Sequence, residues 1–391
     1  MVSQNPTLLL NWMKIAFVTN IPSHFHTRLF ETMAEYYDVD FLFFSDGSES
    51  WIQRDNELKF GKYKGVYVRG IRLTSRWRIN LDLISKLIKG NYDVFIHSIN
   101  GRFELIATFV LSKVLRKPFI LWTNLWFHPR TLFHEISFPV TKFIYRHANA
   151  IVVYGYHVRD YLVPLGVDEK KIFYSWNVVD NDFFSQEMPG QLLQNLKTTY
   201  HLQGRQVILY VGRLAEEKGL IYLLQAYKEL PAGLNVGLLL IGQGREKEKL
   251  MRCIKEYQIQ GVYFAGYVPN HELPPYYALA DILVLPSITT RTLKEVWGVV
   301  LNEAMNQGCP VITTDAVGAA VGGLIQEGKN GIIVPERDSK ALCNAIARML
   351  SDQNKLMDMR EYTRKFIKNW DHHKSFKGFE MAIQYVTQRV D

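Results

Sequence analysis

The amino-acid sequence predicts an α/β protein built from two Rossmann-like, doubly wound domains, and three observations support that prediction. Short apolar segments alternate with amphipathic helical stretches along the chain, a pattern typical of parallel sheets covered by helices. The pattern is interrupted by a less regular stretch at residues 185–204 and then starts again. The length of 391 residues is enough for two compact units with sizeable cores.

Each half of the chain contributes its own series of predicted strands. Those of the first half are 14–19, 40–44, 93–97, 118–122 and 150–154, separated by helices such as 26–37 and 103–115. Those of the second half are 207–212, 236–241, 262–265, 282–286, 311–313 and 331–334. We expect ligands at the loops that follow these strands, because open α/β sheets bind ligands beyond the carboxyl ends of their strands.

The same pattern predicts the domain organisation. We expect an N-terminal domain over residues 1–187, a linker over 188–206 and a C-terminal domain over 207–370. Residues 1–12 precede the first predicted strand, and we interpret them as an appendage. The apolar run Leu8–Leu10 is too short for a secretory signal core, and no basic residue precedes it.

Composition excludes several classes of protein. With 48% hydrophobic and 21% charged residues, the chain is not mainly disordered, collagen-like or held together by disulfides. Its longest strongly apolar segments, such as residues 105–111, are far shorter than the roughly 18 residues that spanning a bilayer requires. The three cysteines are odd in number and lack metal-ligand spacing, so we expect a reduced, cytoplasmic environment.

Positive charge is concentrated in one part of the chain. Residues 59–146 hold 16 Lys and Arg against four acids, a net charge of +12, whereas the remaining residues have 30 basic and 34 acidic side chains. The same segment holds 16 aromatics, including Trp77, Trp122 and Trp126. Basic and aromatic surface suits an anionic membrane, a phosphorylated substrate or nucleic acid. Alternatively, the aromatics belong to the core and the cations to solvated helix faces.

Three loops of the second half carry candidate site residues. The loop after 207–212 contains Arg213 and Lys218, two cations beside a helix amino terminus, an arrangement suited to a diphosphate. The loop after 236–241 contains Gly242 but lacks the full GxGxxG pattern, which counts against a hydride-transfer enzyme. After 282–286, Glu295 is predicted to lie in a loop and Glu303 on the following helix. Each of these residues, taken alone, is also compatible with an ordinary exposed loop or a capping pair.

Six segments of the second half, taken together, resemble the nucleotide-sugar domain of glycosyltransferase family 4 (group 1), a group of retaining enzymes with the GT-B fold. They occur in the family's order over about residues 205–340 and are 211–219, 240–244, 264–268, 280–287, 295–305 and 328–331. The resemblance implies two α/β domains facing a central cleft. It also implies that residues 371–391 form a helix that crosses back to the N-terminal domain.

The resemblance also implies roles for individual residues. As catalytic residues it implies Arg213 and Lys218 on the donor diphosphate and Glu295 beside the transferred sugar. It implies Glu303 on the ribose hydroxyls. The remaining implied donor-binding positions are mainly backbone sites near the phosphates or the nucleobase, namely Gly212, Gly242, Tyr267, Val268, Gly298 and Val299.

The first half resembles the family more loosely and would supply the acceptor side. Many members have a glycine-rich loop after the first strand, whereas this chain has residues 20–26 there. The acceptor-side candidates are His24, His26 and His128, with His128 displaced from the position at which many members have a functional histidine. The alternative for each of them is an ordinary polar loop residue.

We therefore expect a retaining glycosyltransferase of the hexosyltransferase type. It would move a sugar from a nucleoside-diphosphate sugar to a carbohydrate or lipid-linked acceptor, in cell-surface polysaccharide or glycolipid biosynthesis. Neither a cofactor nor a metal is expected, because Arg213 and Lys218 can neutralise the diphosphate and no paired Asp motif is present. A further expectation is a peripheral contact of the basic segment with the inner face of the cell membrane. The alternatives are a sugar phosphorylase or sucrose-type synthase, or a basic nucleic-acid-binding protein; no recognisable motif supports nucleic acid as a partner.

Overall fold

The computed structural model describes residues 13–45, 61–72 and 78–388. The predicted appendage at residues 1–12 and the tryptophan Trp77 lie outside the described residues. Two compact units are formed, the first from residues 1–126, 132–178 and 372–391 and the second from residues 127–131 and 179–371. Each unit has its own parallel sheet, as the sequence predicts.

The elements alternate between strand and helix along both units. The strands are β1 (Lys14–Thr19), β2 (Asp38–Phe43), β3 (Gly65–Tyr67), β4 (Ile71–Arg72), β5 (Arg78–Ile79), β6 (Val94–Ser98), β7 (Phe119–Thr123), β8 (Ala150–Val153), β9 (Ile172–Tyr174), β10 (Gln206–Val211), β11 (Val236–Ile241), β12 (Val262–Gly266), β13 (Ile282–Leu285), β14 (Val311–Thr314) and β15 (Gly331–Val334). The helices are α1 (Thr27–Tyr36), α2 (Leu81–Lys89), α3 (Phe103–Val114), α4 (Leu132–His147), α5 (Tyr156–Leu162), α6 (Asn181–Phe184), α7 (Gly190–Thr199), α8 (Leu220–Lys228), α9 (Lys247–Glu256), α10 (Pro274–Leu279), α11 (Val300–Asn306), α12 (Gly318–Gly322), α13 (Ser339–Leu350), α14 (Gln353–Ile367) and α15 (His372–Thr387).

The strand order explains why the strands are so apolar. In the first unit the order is β3-β2-β1-β6-β7-β8-β9, and in the second it is β12-β11-β10-β13-β14-β15. All pairs in these two sheets are parallel, and β4 and β5 form a separate antiparallel ribbon. Helices cover both faces of such sheets, so central strands such as β11 are buried along their whole length.

An aromatic cluster forms the core of the first unit. The ring of Phe17 on β1 lies 5.2 Å from that of Phe30 on α1 and 5.5 Å from that of Trp122 on β7. Phe379 on α15 lies 5.6 Å from both Phe17 and Trp122. The final helix α15 is therefore part of the core of the first unit, and Trp122 is a core residue, not a surface aromatic.

Two features differ from the boundaries that the sequence pattern suggests. The compact units divide between Val178 and Val179, earlier than the expected boundary at residue 187. The segment expected as a linker, residues 188–206, contains α7, a helix without a buried residue. Its apolar residues Leu192, Leu193 and Leu196 are at most half-buried, so the apolar stripe that marks this helix in the sequence is short.

None of the described helices is both long enough and apolar enough to cross a membrane.

Candidate active site in the second unit

The loop after β10 begins with a tight backbone contact to the loop after β11. Gly212 donates its N–H to the carbonyl oxygen of Ile241 at 3.0 Å, and Leu214 donates to that of Gln243 at 2.9 Å. A Cβ added at Gly242 would lie 1.9 Å from the carbonyl oxygen of Gly212, and the φ of Gly242 is +134°. Only glycine fits there, so Gly212 and Gly242 act through close backbone approach.

A second backbone contact joins the loop after β10 to the loop after β13. A Cβ added at Gly219 would lie 2.1 Å from the carbonyl oxygen of Pro286. Two residues away on each loop, Ile288 donates its N–H to the carbonyl oxygen of Glu217 at 2.9 Å. The two loops are therefore held together by main-chain atoms, and this contact brings Lys218 to the loop that leads to Glu295.

Lys218 and Glu295 form an ion pair at this junction. The ammonium of Lys218 donates to Oε2 of Glu295, and the two side chains are 14% and 15% exposed. The hydroxyl of Ser287 donates to the same oxygen at 3.2 Å. Burial by itself raises the pKa of Glu295, but the charge and hydrogen bond of Lys218, the Ser287 hydrogen bond and the charge of Arg213 outweigh it. The pKa of Glu295 therefore lies below its usual range, and the carboxylate is ionised at neutral pH.

The backbone around Glu295 is fixed from its other side. The carbonyl oxygen of Glu295 accepts the N–H of Gly318 at 3.0 Å, and that of Trp297 accepts the N–H of Ala319 at 2.9 Å. The fully buried indole of Trp297 donates to Oδ1 of Asn302 at 2.8 Å. The position of the carboxylate is thus determined by the start of α12 and by α11.

Arg213 forms a more exposed ion pair in the same loop. Its guanidinium donates to Oε1 of Glu217 at 2.8 Å, with side chains 51% and 11% exposed. Its charge contributes to the lowered pKa of Glu295, so the structure brings Arg213, Lys218 and Glu295 into one electrostatic cluster. Such a cluster offers cations to an anion and one fixed carboxylate to a positive centre.

Glu303 occupies a different environment on α11. It is 2% exposed, and Oε2 accepts the hydroxyl of Tyr277 at 2.5 Å. Burial raises the pKa of Glu303 to about 7, although hydrogen bonds from Tyr277 and Asn270 lower it in part. Close to neutral pH this side chain therefore exists in both charge states.

The remaining positions that the sequence analysis assigns to the donor lie near the ends of strands of the second sheet. Tyr267 and Val268 directly follow β12 and are half-buried. Gly298 has a φ of +91°, and a Cβ there would lie 2.7 Å from Leu285, so the turn before α11 requires glycine. Val299 is the residue immediately before α11.

The three candidate histidines are distributed between the units. His24 and His26 lie in a 3₁₀ turn of the first unit. The ring of His26 lies 4.8 Å from that of Trp122, and its Nε2 is 3.0 Å from the hydroxyl of Tyr154. His128 is half-buried in the segment 127–131, which groups with the second unit.

Sequence reasoning missed the residues that hold the predicted side chains in place. Ser287 immediately follows Pro286 at the end of β13, and Glu217 lies four residues after Arg213, so both positions were accessible from spacing. Tyr277 and Asn270 contact Glu303 from about 30 residues away in the chain, and no local pattern reveals that contact. Over the ranges that the structure covers, no group of three or more His, Cys, Asp or Glu could hold a metal ion.

Comparison with protein families identifies the segment that contains this cluster. Residues 196–366 match the family model described as glycosyl transferases group 1. The match covers less than half of the chain. The matched segment contains Arg213, Lys218, Glu295 and Glu303, and it lies within the second unit.

Curated relatives of the chain are glycosyltransferases. The alpha-D-kanosaminyltransferase of Streptomyces kanamyceticus is 27% identical over 62% of this chain and 64% of its own length. The putative colanic acid biosynthesis glycosyltransferase WcaL of Salmonella typhimurium is 36% identical over 36% of this chain and 35% of its own. A GDP-mannose-dependent mannosyltransferase of Mycobacterium tuberculosis is 28% identical over 49% and 51%. The chain thus spans less than two thirds of the length of these relatives in each match.

Solved structures share the fold of the chain over nearly its whole length. Anabaena HepE in complex with UDP is 18% identical, with a TM-score of 0.76, over 95% of this chain and all of that chain. The sucrose-phosphate synthase of Thermosynechococcus elongatus is 19% identical, with a TM-score of 0.73, over 96% of this chain and all of its own. The predicted fold class is confirmed: two Rossmann-like α/β domains, as in GT-B glycosyltransferases.

Proposed function

We propose that the protein is a glycosyltransferase that moves a sugar from a nucleoside-diphosphate sugar to a carbohydrate or lipid-linked acceptor. The observation that carries this proposal is the cluster of Arg213, Lys218 and Glu295, held by backbone contacts within the segment that matches the group 1 family model. The two cations can bind the anionic donor, and the carboxylate can stabilise the positive charge of the transition state.

Departure of a nucleoside diphosphate builds negative charge on its phosphate oxygens. Lys218 and Arg213 stabilise that charge, and because Lys218 is already held by Glu295 it needs little reorganisation when the charge develops. Glu295 stays ionised and opposes the positive charge that develops at the anomeric carbon. The cluster supplies one carboxylate, not the close pair with which retaining hydrolases form a covalent intermediate. We therefore propose retention by attack on the face that the leaving phosphate departs from.

Glu303 is proposed to accept the ribose hydroxyls of the donor. A carboxylate accepts two such hydrogen bonds best when it is ionised. With a pKa of about 7, Glu303 is only partly ionised at neutral pH in the free protein, so nucleotide binding shifts it toward the charged form. Backbone at Tyr267 and Val268 is proposed to meet the nucleobase, and the amides of Gly298 and Val299 the phosphates.

The relatives suggest what the donor and pathway could be. HepE was solved with UDP and with UDP-glucose, and the mycobacterial relative uses GDP-mannose. WcaL is assigned to colanic acid biosynthesis. We propose a UDP- or GDP-linked hexose as donor and a cell-surface polysaccharide or glycolipid as product, with no metal and no cofactor. A peripheral contact of the first unit with the membrane belongs to this proposal.

A donor screen followed by product analysis tests the proposal. UDP- and GDP-hexoses are added singly, and the melting temperature is recorded, since a bound ligand stabilises the folded protein by mass action. The donor that raises it is then incubated with candidate acceptors, with and without EDTA. Release of nucleoside diphosphate coupled to sugar transfer supports the proposal. Transfer from a sugar phosphate, or release of sugar 1-phosphate with inorganic phosphate, would instead indicate a phosphorylase.

Two glutamine variants test whether the two carboxyls have the different roles proposed for them. We expect Glu295→Gln to lose turnover by at least about 2 kcal/mol of transition-state free energy while keeping nucleotide affinity. We expect Glu303→Gln to weaken nucleotide binding mainly. The exposed Glu361→Gln on α14 is the matched control and should behave like the parent protein. Equal and complete loss of nucleotide binding in both site variants would contradict the division.

A further inference from the structure

Helix α3 of the first unit leaves one apolar stripe exposed. Ile106, Val110 and Val114 follow one another at a spacing of four residues, which places them on one side of the helix. The opposite side is buried, with Leu105 and Phe109 in the core. The helix therefore satisfies its core contacts and still presents apolar side chains outward.

Helix α4 also presents an exposed apolar stripe. Leu132, Ile136, Val140 and Phe143 share one side of the helix, and together with the α3 stripe they are 45–78% exposed. Single exposed apolar residues are common in proteins, but a run of them on one face marks an interaction surface.

Two contacts show that the stripes are neighbours. The ring of Phe109 on α3 lies 6.1 Å from that of Phe143 on α4, and Lys113 donates to the carbonyl oxygen of His147 at 2.9 Å. Side chains of the two helices are thus in contact, and the stripes lie on neighbouring helices. The two stripes are here called the α3/α4 face, made of Ile106, Val110, Val114, Leu132, Ile136, Val140 and Phe143.

A basic cavity lies where α3 and α4 end. Its volume is about 360 Å³, and most of the lining residues are polar or cationic. No carboxylate is among the described residues that line it. Its charged and strongly polar lining consists of Lys113, Arg116, Lys117, His147, Asn149 and Lys171.

The cations in this cavity are only partly compensated. Lys113 reaches neutral acceptors, the carbonyl of His147 and Oδ1 of Asn149 at 3.2 Å. Burial lowers the pKa of Lys113, and the charge of Lys171 lowers it further. Lys117 has an acidic partner, Asp93, at 3.6 Å. An anion bound in the cavity would relieve the repulsion between Lys113 and Lys171.

We propose that the α3/α4 face and the basic cavity together form the surface that docks on an anionic phospholipid bilayer. This rests on the peripheral membrane contact of the proposed function and assigns it to particular residues. The apolar side chains enter the boundary between headgroups and acyl chains, and a headgroup phosphate enters the cavity.

Charge complementarity selects this occupant. A second copy of the same face would bring the same cations, whereas an anionic bilayer supplies phosphates beside an apolar layer. The exposed Glu135 lies on the same side of α4 and is the acid that such docking would bring toward the lipid.

Vesicle flotation with the full chain tests the proposal. The vesicles are phosphatidylcholine alone or phosphatidylcholine with phosphatidylglycerol, each at low and high salt and without nucleotide. We expect salt-sensitive binding to the anionic vesicles only. Ile136→Glu with Val140→Glu, and separately Arg116→Gln with Lys171→Gln, should each lower the partition coefficient at least about tenfold.

Matched controls keep the interpretation specific. Met251→Glu with Met357→Glu changes exposed apolar residues of the second unit, and Lys170→Gln removes the neighbour of Lys171 that does not line the cavity. These controls should bind vesicles like the parent protein. Free inorganic phosphate at matched ionic strength separates a soluble anion from a headgroup. If phosphate raises the parent's melting temperature while the parent does not bind anionic vesicles at low salt, the cavity is a site for a free anion and the proposal is overturned.

Other results would also overturn it. The first is that the parent protein does not bind anionic vesicles at low salt. The second is that both docking variants bind vesicles as the parent does. The third is that the parent self-associates and that Ile136→Glu with Val140→Glu abolishes this self-association without changing vesicle binding. Melting temperature and titration with UDP and GDP are measured on every variant. The docking substitutions, at Arg116, Ile136, Val140 and Lys171, lie outside the segment that matches the group 1 family model. Nucleotide binding should therefore stay unchanged in them, so failure of docking and failure of the proposed function give different results.

Discussion

Glu295, which is mostly buried, and Glu303, which is fully buried, are two carboxyls of one domain with opposite ionisation behaviour. Lys218 and Ser287 hold the pKa of Glu295 below its usual range, whereas burial raises that of Glu303 to about 7. Both lose solvation, so burial alone cannot explain the difference. A buried cation compensates Glu295, while Glu303 has hydroxyl and amide donors, and the tyrosine donor is Tyr277.

The comparison shows how one domain can hold two different carboxyls eight positions apart. A carboxylate that must stay charged beside a developing cation needs a fixed counterion. A carboxyl that binds neutral hydroxyls can be partly protonated at neutral pH before the ligand binds. Substitutions that remove one partner at a time should therefore have unequal effects on the two sites.

The largest effect is expected from removing the counterion. Lys218→Met leaves Glu295 buried without a cation, and we expect the free energy of unfolding at about pH 7 to fall by about 3–5 kcal/mol. Urea denaturation measures the loss. The double variant Lys218→Met, Glu295→Gln removes the unpaired charge and should regain much of this stability without regaining turnover. A single variant as stable as the parent would mean that the pair contributes no such compensation.

The second effect concerns Glu303 and depends on pH. Its pKa in the folded protein lies above that of an unfolded chain, so its stabilising contribution is present below about pH 4.5 and is lost as pH rises through about 7. Glu303→Gln should remove this dependence, and relative to the parent it should gain about 3 kcal/mol between about pH 4 and pH 8. Urea denaturation across this range measures the difference between the two proteins. Parallel pH profiles would show that Glu303 keeps its ordinary pKa.

A smaller effect should follow from the tyrosine hydroxyl. Tyr277→Phe removes the donor to Glu303, which raises the pKa of Glu303 further and costs about 1–2 kcal/mol above pH 7. The loss should shrink at about pH 5, where the carboxyl is protonated. Unfolding at both pH values provides the measurement, with Tyr257→Phe, an exposed tyrosine after α9, as control. An equal loss at both pH values would point to packing instead of the hydrogen bond.

The smallest effect on stability is expected at Arg213. Its ion pair with Glu217 is half exposed, so Arg213→Ala should cost less than about 1 kcal/mol of unfolding free energy. Turnover should nevertheless fall by at least about 2 kcal/mol, because the arginine contacts the donor phosphates in the proposed reaction. Steady-state kinetics beside urea denaturation separates the two effects. Near-parent turnover would remove Arg213 from the site.

The sequence predicts the central strands well for a physical reason. Strands such as β10 and β11 are buried on both faces, so they appear as continuous apolar runs bounded by glycine. The short edge strand β9 and the exposed helix α7 lack such runs and were missed. A strand or helix is therefore easier to predict from the sequence the more completely it is buried.

Within the candidate site, the same distinction separates what was found from what was missed. Arg213, Lys218 and Glu295 could be singled out because they lie in the loops that follow β10 and β13, within segments that resemble the family. The partners that set their charge states, Ser287 and Tyr277, are ordinary residues whose role depends on tertiary contact. The pKa of Glu303 could not be foreseen, since it depends on burial that only the folded domain creates.

The glycine contacts between the loops have a consequence for protein engineering. Gly219 lies against the carbonyl of Pro286, and Gly242 lies against that of Gly212, with no room for a side chain at either place. Libraries that probe the proposed donor site should therefore leave these four positions fixed. Diversity is better placed at half-buried positions such as Tyr267, where a new side chain can change recognition without separating the loops.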